Sequence, residues 1–263
     1  MGEISFSMSN DLVSIIMLSR DRGRFVEESV RSILAQTFTN WELLFFDVNS
    51  KDDTASKMMP FMEQDSRIHV SRMPYQKGMT IALNKALNEA KGRWMAFLKS
   101  GDTWEPEKLE RQIAFMEING YHFSYTKFLR HRRQLINRQV VQSGPRRLTY
   151  KDMEKCCWLG NLTVMYDAKT IGQIQIQDFK HNNYYASWLK VSEKVDCYLL
   201  PECLAKLRTP HSTIMEYLLT DKLNWRYRVY RWELGKNPFV AIWMTLRCLY
   251  YASLKRVKYV ERV

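Results

Sequence analysis

Three polar segments of this 263-residue chain hold the side chains best suited to chemistry, namely residues 19–23, 47–53 and 99–104. The first, SRDRG, combines a hydroxyl with two guanidinium groups, and the second, DVNSKDD, holds three carboxylates. The third, KSGDTW, sets a lysine three positions before an aspartate. Carboxylate oxygens suit divalent cations, whereas ammonium and guanidinium groups suit phosphate. The segments therefore predict a site for a metal ion, an anionic ligand or both.

Each of these segments ends or follows an apolar run that predicts a buried strand. The runs 12–18, 41–48 and 93–98 are rich in β-branched and aromatic residues, and a shorter strand is predicted at 67–73. Helical spacing of the apolar residues between the strands predicts a parallel, Rossmann-like sheet. Ligands bind such sheets at the carboxyl ends of the strands, so we expect the three polar segments to meet there.

The second half of the chain has a weaker pattern. Helices are predicted at 106–118 and 182–194, and a strand is predicted at 161–167. Residues 197–208 read as extended chain, and 215–263 read as mostly helical.

The composition indicates a folded, basic protein. Hydrophobic residues make up 46% of the chain, and the net charge is +12. The five cysteines show no CxxC or Cys/His metal spacing, which favours reduced thiols in a cytosol. The N-terminal residues lack the pattern of a secretion signal, and no apolar run reaches the length of about 18 residues that spans a bilayer. We expect a soluble or peripheral cytoplasmic protein.

The order of these elements resembles the inverting family-2 glycosyltransferases of the GT-A fold. Residues 12–47 are similar to the family's opening strand, helix and second strand, and 77–98 to its nucleotide-side helix and the strand entering the metal motif. GDTWEPEKLERQIAFM (101–116) and LGNLTVMYD (159–167) are similar as well. The resemblance implies an α/β fold with a mostly parallel central sheet. It also implies sugar transfer from a nucleotide diphosphate donor in bacterial surface-polysaccharide synthesis of the capsule, O-antigen or teichuronic type.

For the donor, the resemblance implies nucleotide-sugar contacts from seven residues: Ser19, Asp47, Asn84, Lys85, Lys99, Asp102 and Arg208. The family's usual DDGS reads DVNS here, so Asp47 keeps the first carboxylate and Val48 replaces the second. Lys85, Lys99 and Arg208 form a basic lining that attracts a diphosphate without a metal, or they are ordinary surface cations.

The family's metal-binding motif is altered. LDSDD reads LKSGD, so Lys99 and Gly101 stand at two acidic positions and only Asp102 remains. Unit charges 4 Å apart interact by about 4 kcal/mol at an effective dielectric near 20, so Lys99 would oppose a divalent ion by about 8 kcal/mol. We expect no metal cofactor, although the resemblance implies a divalent ion for the family.

The family's general base is also replaced. Counting back from Trp188, its acid–aspartate pair reads Asn183 and Tyr184. A phenol with a pKa near 10 is only about 0.1% ionised at pH 7, which suits a base poorly. Asp178 is the nearby carboxylate, and its alternative interpretation is a turn or capping residue. Tyr184 and Asp178 are therefore the candidates at or near the base position.

The chain divides into an N-terminal tail (1–10), a GT-A glycosyltransferase-like domain (11–214) and a C-terminal helical extension (215–263). Within the extension, residues 221–263 hold ten Lys/Arg, three Asp/Glu and nine aromatic residues. This mixture suits a helix lying in a membrane interface, or aromatic packing on the core or a partner subunit. No nucleic-acid recognition motif accompanies it, so we expect no nucleic-acid partner.

Two hypotheses for function follow. In the first, the chain has lost conventional metal-dependent catalysis and acts as a degenerate or partner subunit beside an active glycosyltransferase. In the second, it is an active, metal-independent inverting glycosyltransferase in which Lys99 replaces the metal. Under either hypothesis the resemblance implies a nucleotide sugar, a lipid-linked saccharide acceptor and a position at the inner face of the cytoplasmic membrane.

Overall fold

The computed structural model describes residues 9–74, 78–132, 138–176, 183–208 and 225–262. Within these ranges eleven strands form one sheet, and helices cover its faces. This is the predicted α/β architecture.

The first half alternates strands and helices, as its apolar pattern predicts. The strands are β1 (Val13–Ser19), β2 (Trp41–Val48), β3 (Ile68–Met73) and β4 (Trp94–Lys99). The helices between them are α1 (Gly23–Leu34), α2 (Thr54–Gln64) and α3 (Gly78–Glu89). β2 has the predicted bounds, and the bounds of β1 and β4 differ from the predicted ones by only one residue at each end. The agreement is close because strands buried on both faces are continuous apolar runs.

The strands β3, β2, β1 and β4 lie side by side in this order, and all of them are parallel. The chain moves outward from β1 to β3 and then returns to the opposite side of β1, where β4 pairs. Such a reversal opens a crevice at the carboxyl ends of β1 and β4. In the register of the sheet, Ser19 lies beside Asp47 and Leu18 lies beside Lys99.

The second half adds a largely antiparallel flank. Its strands are β5 (Thr103–Trp104), β6 (Phe123–Arg132), β7 (Arg138–Gln142), β8 (Arg147–Leu148), β9 (Met165–Asp167) and β10 (Cys197–Leu207). Its helices are α4 (Lys108–Asn119), α5 (Tyr150–Lys155), α6 (Ala168–Ile171) and α7 (Asn183–Ser192). β9 pairs antiparallel with β4 and β6, and β10 runs parallel to β6. The sheet is therefore mixed, with its parallel part centred on β1.

Both faces of the sheet are buried, and each face carries its own hydrophobic cluster. The strands β1, β2 and β4 contribute to both clusters, because their successive side chains point to opposite sides of the sheet. Ile16 and Leu18 of β1 belong to the hydrophobic cluster on one face. Val13, Ile15 and Met17 belong to the cluster on the other face. The crevice at the strand ends thus has a rigid base.

The C-terminal segment is joined to the same sheet. A π-helical segment (Val229–Glu233) precedes the helix α8 (Pro238–Lys258), which begins where the Asn237 side chain accepts a hydrogen bond from the Val240 amide at 2.9 Å. The strand β11 (Val260–Arg262) follows and pairs antiparallel with β7. Among the described residues, no helix has the length and apolar character needed to cross a membrane.

Candidate functional site

The loops after β1 and β2 are bonded to each other at the mouth of the crevice. The Asp21 amide donates to Ser50 Oγ at 2.9 Å, and the Gly23 amide donates to Asp52 Oδ2 at 2.9 Å. Asp21 and Asn49 have φ angles of 51° and 52°, a conformation that costs energy for residues other than glycine. The cross-bonded loops fix one wall of the site in a strained shape.

Four buried polar atoms around the ends of β1, β2 and β4 have no hydrogen-bond partner within the described part of the chain. They are Ser19 Oγ, Asp47 Oδ2, Ser100 Oγ and the Tyr184 hydroxyl. Asp47 is fully buried, and its Oδ2 lies 3.6 Å from Arg72 Nε, which is too long for a hydrogen bond. Buried polar atoms are nearly always paired in folded proteins, so this group suits a ligand with polar groups of its own.

The segment 99–102 is held in place by α1 and by the end of β10. Gly101 has a φ of 104°, and its amide donates to Ser29 Oγ at 2.8 Å. Arg208 Nε donates to the Gly101 carbonyl at 3.1 Å, and the Arg208 guanidinium also pairs with Glu28. Only glycine adopts this φ readily, so the loop depends on the residue that replaces an acid of the family's motif.

Lys99 lies in a recess rather than on an open surface. Its side chain reaches solvent, yet protein surrounds it closely enough for desolvation to lower the pKa of its ammonium group. Asp102 opposes this shift, and the nearby positive charge of Arg22 adds to it. The Lys99 ammonium lies 5.1 Å from the centre of the Tyr184 ring, a cation–π contact.

Asp102 is the remaining carboxylate of the motif, and it is buried. Its Oδ1 accepts a hydrogen bond from the Arg208 amide at 3.0 Å. Burial raises its pKa to about 6, against the lowering effects of that hydrogen bond and of the Lys99 charge.

The residues of the motif do not fit a divalent cation. An ammonium, a glycine and one carboxylate with a raised pKa supply too few hard oxygen donors for magnesium or manganese. Within the ranges the structure describes, no three His, Cys, Asp or Glu side chains are grouped closely enough to hold a metal ion.

Tyr184 occupies the predicted base position but is poorly suited to remove a proton. Burial raises the pKa of its phenol above the usual value of 10. The ring packs against Phe97 and Trp188, with centroids 5.8 and 6.0 Å away. The other candidate, Asp178, lies outside the described residues, as does the side chain of Asn183.

Asn84 and Lys85 lie on α3, and their contacts are made with other parts of the protein and with α3 itself. Asn84 Nδ2 donates to the Ile176 carbonyl at 2.7 Å, and its Oδ1 accepts from the Ile176 amide at 3.1 Å. The Lys85 ammonium lies 3.5 Å from Glu89 on the same helix. Both polar atoms of the Asn84 side chain are therefore used in holding the chain before residue 177, and its role toward a nucleotide stays a prediction.

The other predicted residues in the described ranges lie around the strand ends. They are Ser19, Asp47, Lys99, Asp102, Tyr184 and Arg208. The structure adds Arg22 and Ser100, which the seven predicted contacts did not include. Both lie within the polar segments that follow β1 and β4, so position after a strand was the signal that could have identified them. Ser29 had no such signal, because it lies on the helix α1.

Comparisons with known proteins agree with this geometry. The model of glycosyl transferase family 2 matches residues 14–173. The putative teichuronic acid biosynthesis glycosyltransferase TuaG of Bacillus subtilis is 35% identical over 204 residues, which cover 77% of this chain and 81% of TuaG. The Escherichia coli protein WfgD is 37% identical over 187 residues, or 70% of this chain and 71% of WfgD, and is named a UDP-Glc:alpha-D-GlcNAc-diphosphoundecaprenol beta-1,3-glucosyltransferase.

Among solved structures, residues 1–349 of S. aureus TarS in complex with UDP-GlcNAc superpose with a TM-score of 0.67 at 16% identity. The match covers 83% of this chain and 64% of that one, so this chain spans less than two thirds of the TarS structure. At this identity the likeness concerns the fold alone, and it agrees with the expected GT-A architecture.

Proposed function

Because the chain belongs to glycosyl transferase family 2, we propose that it acts in the synthesis of a bacterial cell-surface polysaccharide without conventional metal-dependent catalysis. In this role it binds a nucleotide sugar and serves as a degenerate or partner subunit beside an active glycosyltransferase. The names of TuaG and WfgD support the pathway, since one refers to teichuronic acid and the other to a lipid-linked sugar.

The contact between Lys99 and Tyr184 carries this proposal. Lys99 stands where the family's motif has a carboxylate, and Tyr184 stands where its base is expected. The two replacements touch each other, with the ammonium 5.1 Å from the ring centre. A pair that interacts so directly fills both the metal position and the base position with its own side chains. Neither side chain can then do the work of the acid it replaces.

The donor side of the crevice keeps the features of a binding site. Ser19, Asp47 and Ser100 each have a buried oxygen without a hydrogen-bond partner in the described ranges, and all three lie at strand ends. The cations Lys99 and Arg22 lie close enough to influence each other, and they suit a diphosphate. These features support retention of nucleotide-sugar binding after the loss of metal binding.

The relatives also suggest where the protein works. WfgD is named for an acceptor linked to diphosphoundecaprenol, which is a membrane lipid. We therefore place this chain at the inner face of the cytoplasmic membrane, as a peripheral protein close to a lipid-linked saccharide or to an enzyme that uses one.

Titration calorimetry with UDP and UDP-sugars tests the proposal, run once with EDTA and once with Mn²⁺. We expect the same affinity in both buffers and no release of UDP from the sugar donor. Lys99→Met should weaken UDP binding, whereas Lys151→Met, which removes an exposed lysine of α5, should not. Absence of any nucleotide binding, or binding only with Mn²⁺, would refute the proposal.

A second candidate function is favoured by the proximity of Lys99 and Arg22. Lys99 at the end of β4 and Arg22 in the loop after β1 can together stabilise the charge that develops on a leaving diphosphate, which is the role a metal plays in the family. The chain would then be an active, metal-independent inverting glycosyltransferase. Release of UDP from a nucleotide sugar in EDTA, in the presence of a lipid-linked acceptor, would establish this function in place of the first.

A further inference from the structure

The outward face of α8 is largely apolar, with Ser253 among its exposed side chains. Phe239 is 85% exposed, Trp243 is 58% exposed and Val257 is 82% exposed. The exposed side chains recur every three or four residues, so they lie in one stripe along a helix of about 30 Å. Its apolar members, the α8 stripe, are Phe239, Ile242, Trp243, Leu246, Tyr250, Leu254 and Val257.

The orientation of this face is fixed by the opposite side of the helix. Ala241, Met244 and Cys248 are buried against the body of the protein. Near the end of α8, the Lys255 ammonium donates to the Cys157 carbonyl at 3.3 Å and also bonds to the Trp158 carbonyl. The strand β11, which follows directly, pairs with β7. Because the helix is anchored along its inner face and at its end, it cannot rotate to bury the stripe.

Basic side chains border the stripe. On a helical wheel, Arg247 and Lys258 lie on one side of it, and Arg256 lies on the other. The Arg247 guanidinium lies 4.6 Å from the centre of the Trp243 ring. Cations and aromatic rings at the edge of an apolar helix face are suited to the headgroup region of a bilayer.

The charges favour a lipid surface over a second copy of the chain. The sequence of α8, from Pro238 to Lys258, contains no aspartate or glutamate. In a symmetric pairing of two stripes, the same basic borders would face each other without counter-charges from the helix. An anionic bilayer supplies both the apolar interior and the counter-charge.

We propose that the α8 stripe inserts into the interface of an anionic phospholipid bilayer, with the helix axis parallel to the membrane plane. This inference deepens the peripheral location proposed above by naming the surface that makes the contact. The α8 stripe consists of residues other than those of the nucleotide crevice, so membrane binding and nucleotide binding can be tested separately.

The test is flotation of the full chain with vesicles of phosphatidylcholine alone or with about one third phosphatidylglycerol. We expect the wild type to float with the anionic vesicles. The double variant Phe239→Glu/Trp243→Glu should have a vesicle partition coefficient roughly tenfold lower than that of the wild type, because binding scales with inserted apolar area. Ile118→Glu is the matched control: Ile118 is 62% exposed on α4, away from the stripe, and its replacement should change nothing. Calorimetry with UDP should give the same affinity for all these variants.

A second variant tests the charges without changing the apolar face. Arg256→Gln/Lys258→Gln should lower binding to anionic vesicles by roughly fivefold for each charge removed and leave binding to neutral vesicles unchanged. Failure of the wild type to float, or undiminished flotation of Phe239→Glu/Trp243→Glu, would overturn the proposal. It would also be overturned if light scattering showed a wild-type dimer that this double variant converts to monomer, since a second copy would then cover the stripe.

Discussion

Replacing Asp102 by asparagine should stabilise the protein. Asp102 is buried, and its pKa is raised to about 6. Asparagine keeps the volume and the Oδ1 atom that accepts a hydrogen bond from the Arg208 amide at 3.0 Å. The substitution therefore removes a costly buried charge and little else.

The size and sign of the effect follow from the pKa. Raising the pKa from the usual 3.8 to about 6, at 1.36 kcal/mol per unit, corresponds to about 3 kcal/mol. The folded state binds this proton more tightly than the unfolded state, so wild-type stability falls as the pH rises through the range from about 4 to about 6. The free energy of unfolding of Asp102→Asn should exceed that of the wild type by about 3 kcal/mol near pH 7.5. The difference should vanish near pH 4.

Urea unfolding of both proteins at the two pH values measures this difference, because titrating groups that do not interact with Asp102 contribute equally to both proteins. Asp52→Asn is a control of opposite sign. Burial would raise the pKa of Asp52, but hydrogen bonds from Thr54 and Gly23 hold it below its usual value. Asp52→Asn should therefore lose stability near neutral pH. If Asp102→Asn were less stable than the wild type, or if its gain were the same at both pH values, the assignment of a costly buried charge would be refuted.

Three further predictions concern Lys108, Tyr184 and Lys99. Lys108→Met should raise the free energy of unfolding below pH 7, because burial lowers the lysine pKa from 10.5 to about 7, a cost of about 5 kcal/mol. Among the described residues, only the Trp104 ring, 4.0 Å from the Lys108 ammonium, offsets this cost; the contact is worth about 2 kcal/mol, so the expected gain is about 3 kcal/mol. Urea unfolding should show that gain shrinking as the pH rises toward 10. Tyr184→Phe should not lower the melting temperature, since the Tyr184 hydroxyl has no hydrogen-bond partner in the described ranges. If the wild type did release UDP from a UDP-sugar and Tyr184→Phe abolished that release, Tyr184 would be restored as a base. Lys99→Asp combined with Tyr184→Asp should create Mn²⁺ binding that calorimetry detects. Gly101 is kept in this variant because its φ of 104° requires glycine. A titration without heat of binding would show that more than these two acids is missing.

The sequence pattern was sufficient for the parallel half of the fold. β2 begins at Trp41 and ends at Val48, as its apolar run predicts, because a strand buried on both faces needs no information from distant residues. The antiparallel flank depends on pairings between remote segments. The predicted strand at 161–167 begins as a 3-10 turn (Asn161–Thr163), in which the Thr163 hydroxyl donates to the Gly160 carbonyl at 2.7 Å. β11 follows a long helix and has no pattern of its own.

The site divides in the same way. Its position at the ends of β1, β2 and β4 follows from the order of strands and polar segments. The contact of Lys99 with Tyr184 does not, since it depends on how α7 packs on the sheet. The same is true of the pairing of Arg208 with Glu28 and the use of Asn84 in holding Ile176. Residue type predicted that these groups bind something, while tertiary packing decides whether the partner is a ligand or the protein itself.

The strand β11 replaces the edge that β7 would form with a shorter one, because β11 is the outermost strand and has three residues against the five of β7. It pairs with β7 over Gln142, Val141 and Val140, and so satisfies backbone groups that β7 would otherwise present to solvent. A free strand edge of this kind is a template for pairing with another chain. Removing residues 225–262 would therefore delete the α8 helix and create an aggregation-prone edge at the same time. Shortened forms of this protein are poor tools for studying the helix, and substitutions in the 263-residue chain are the safer choice.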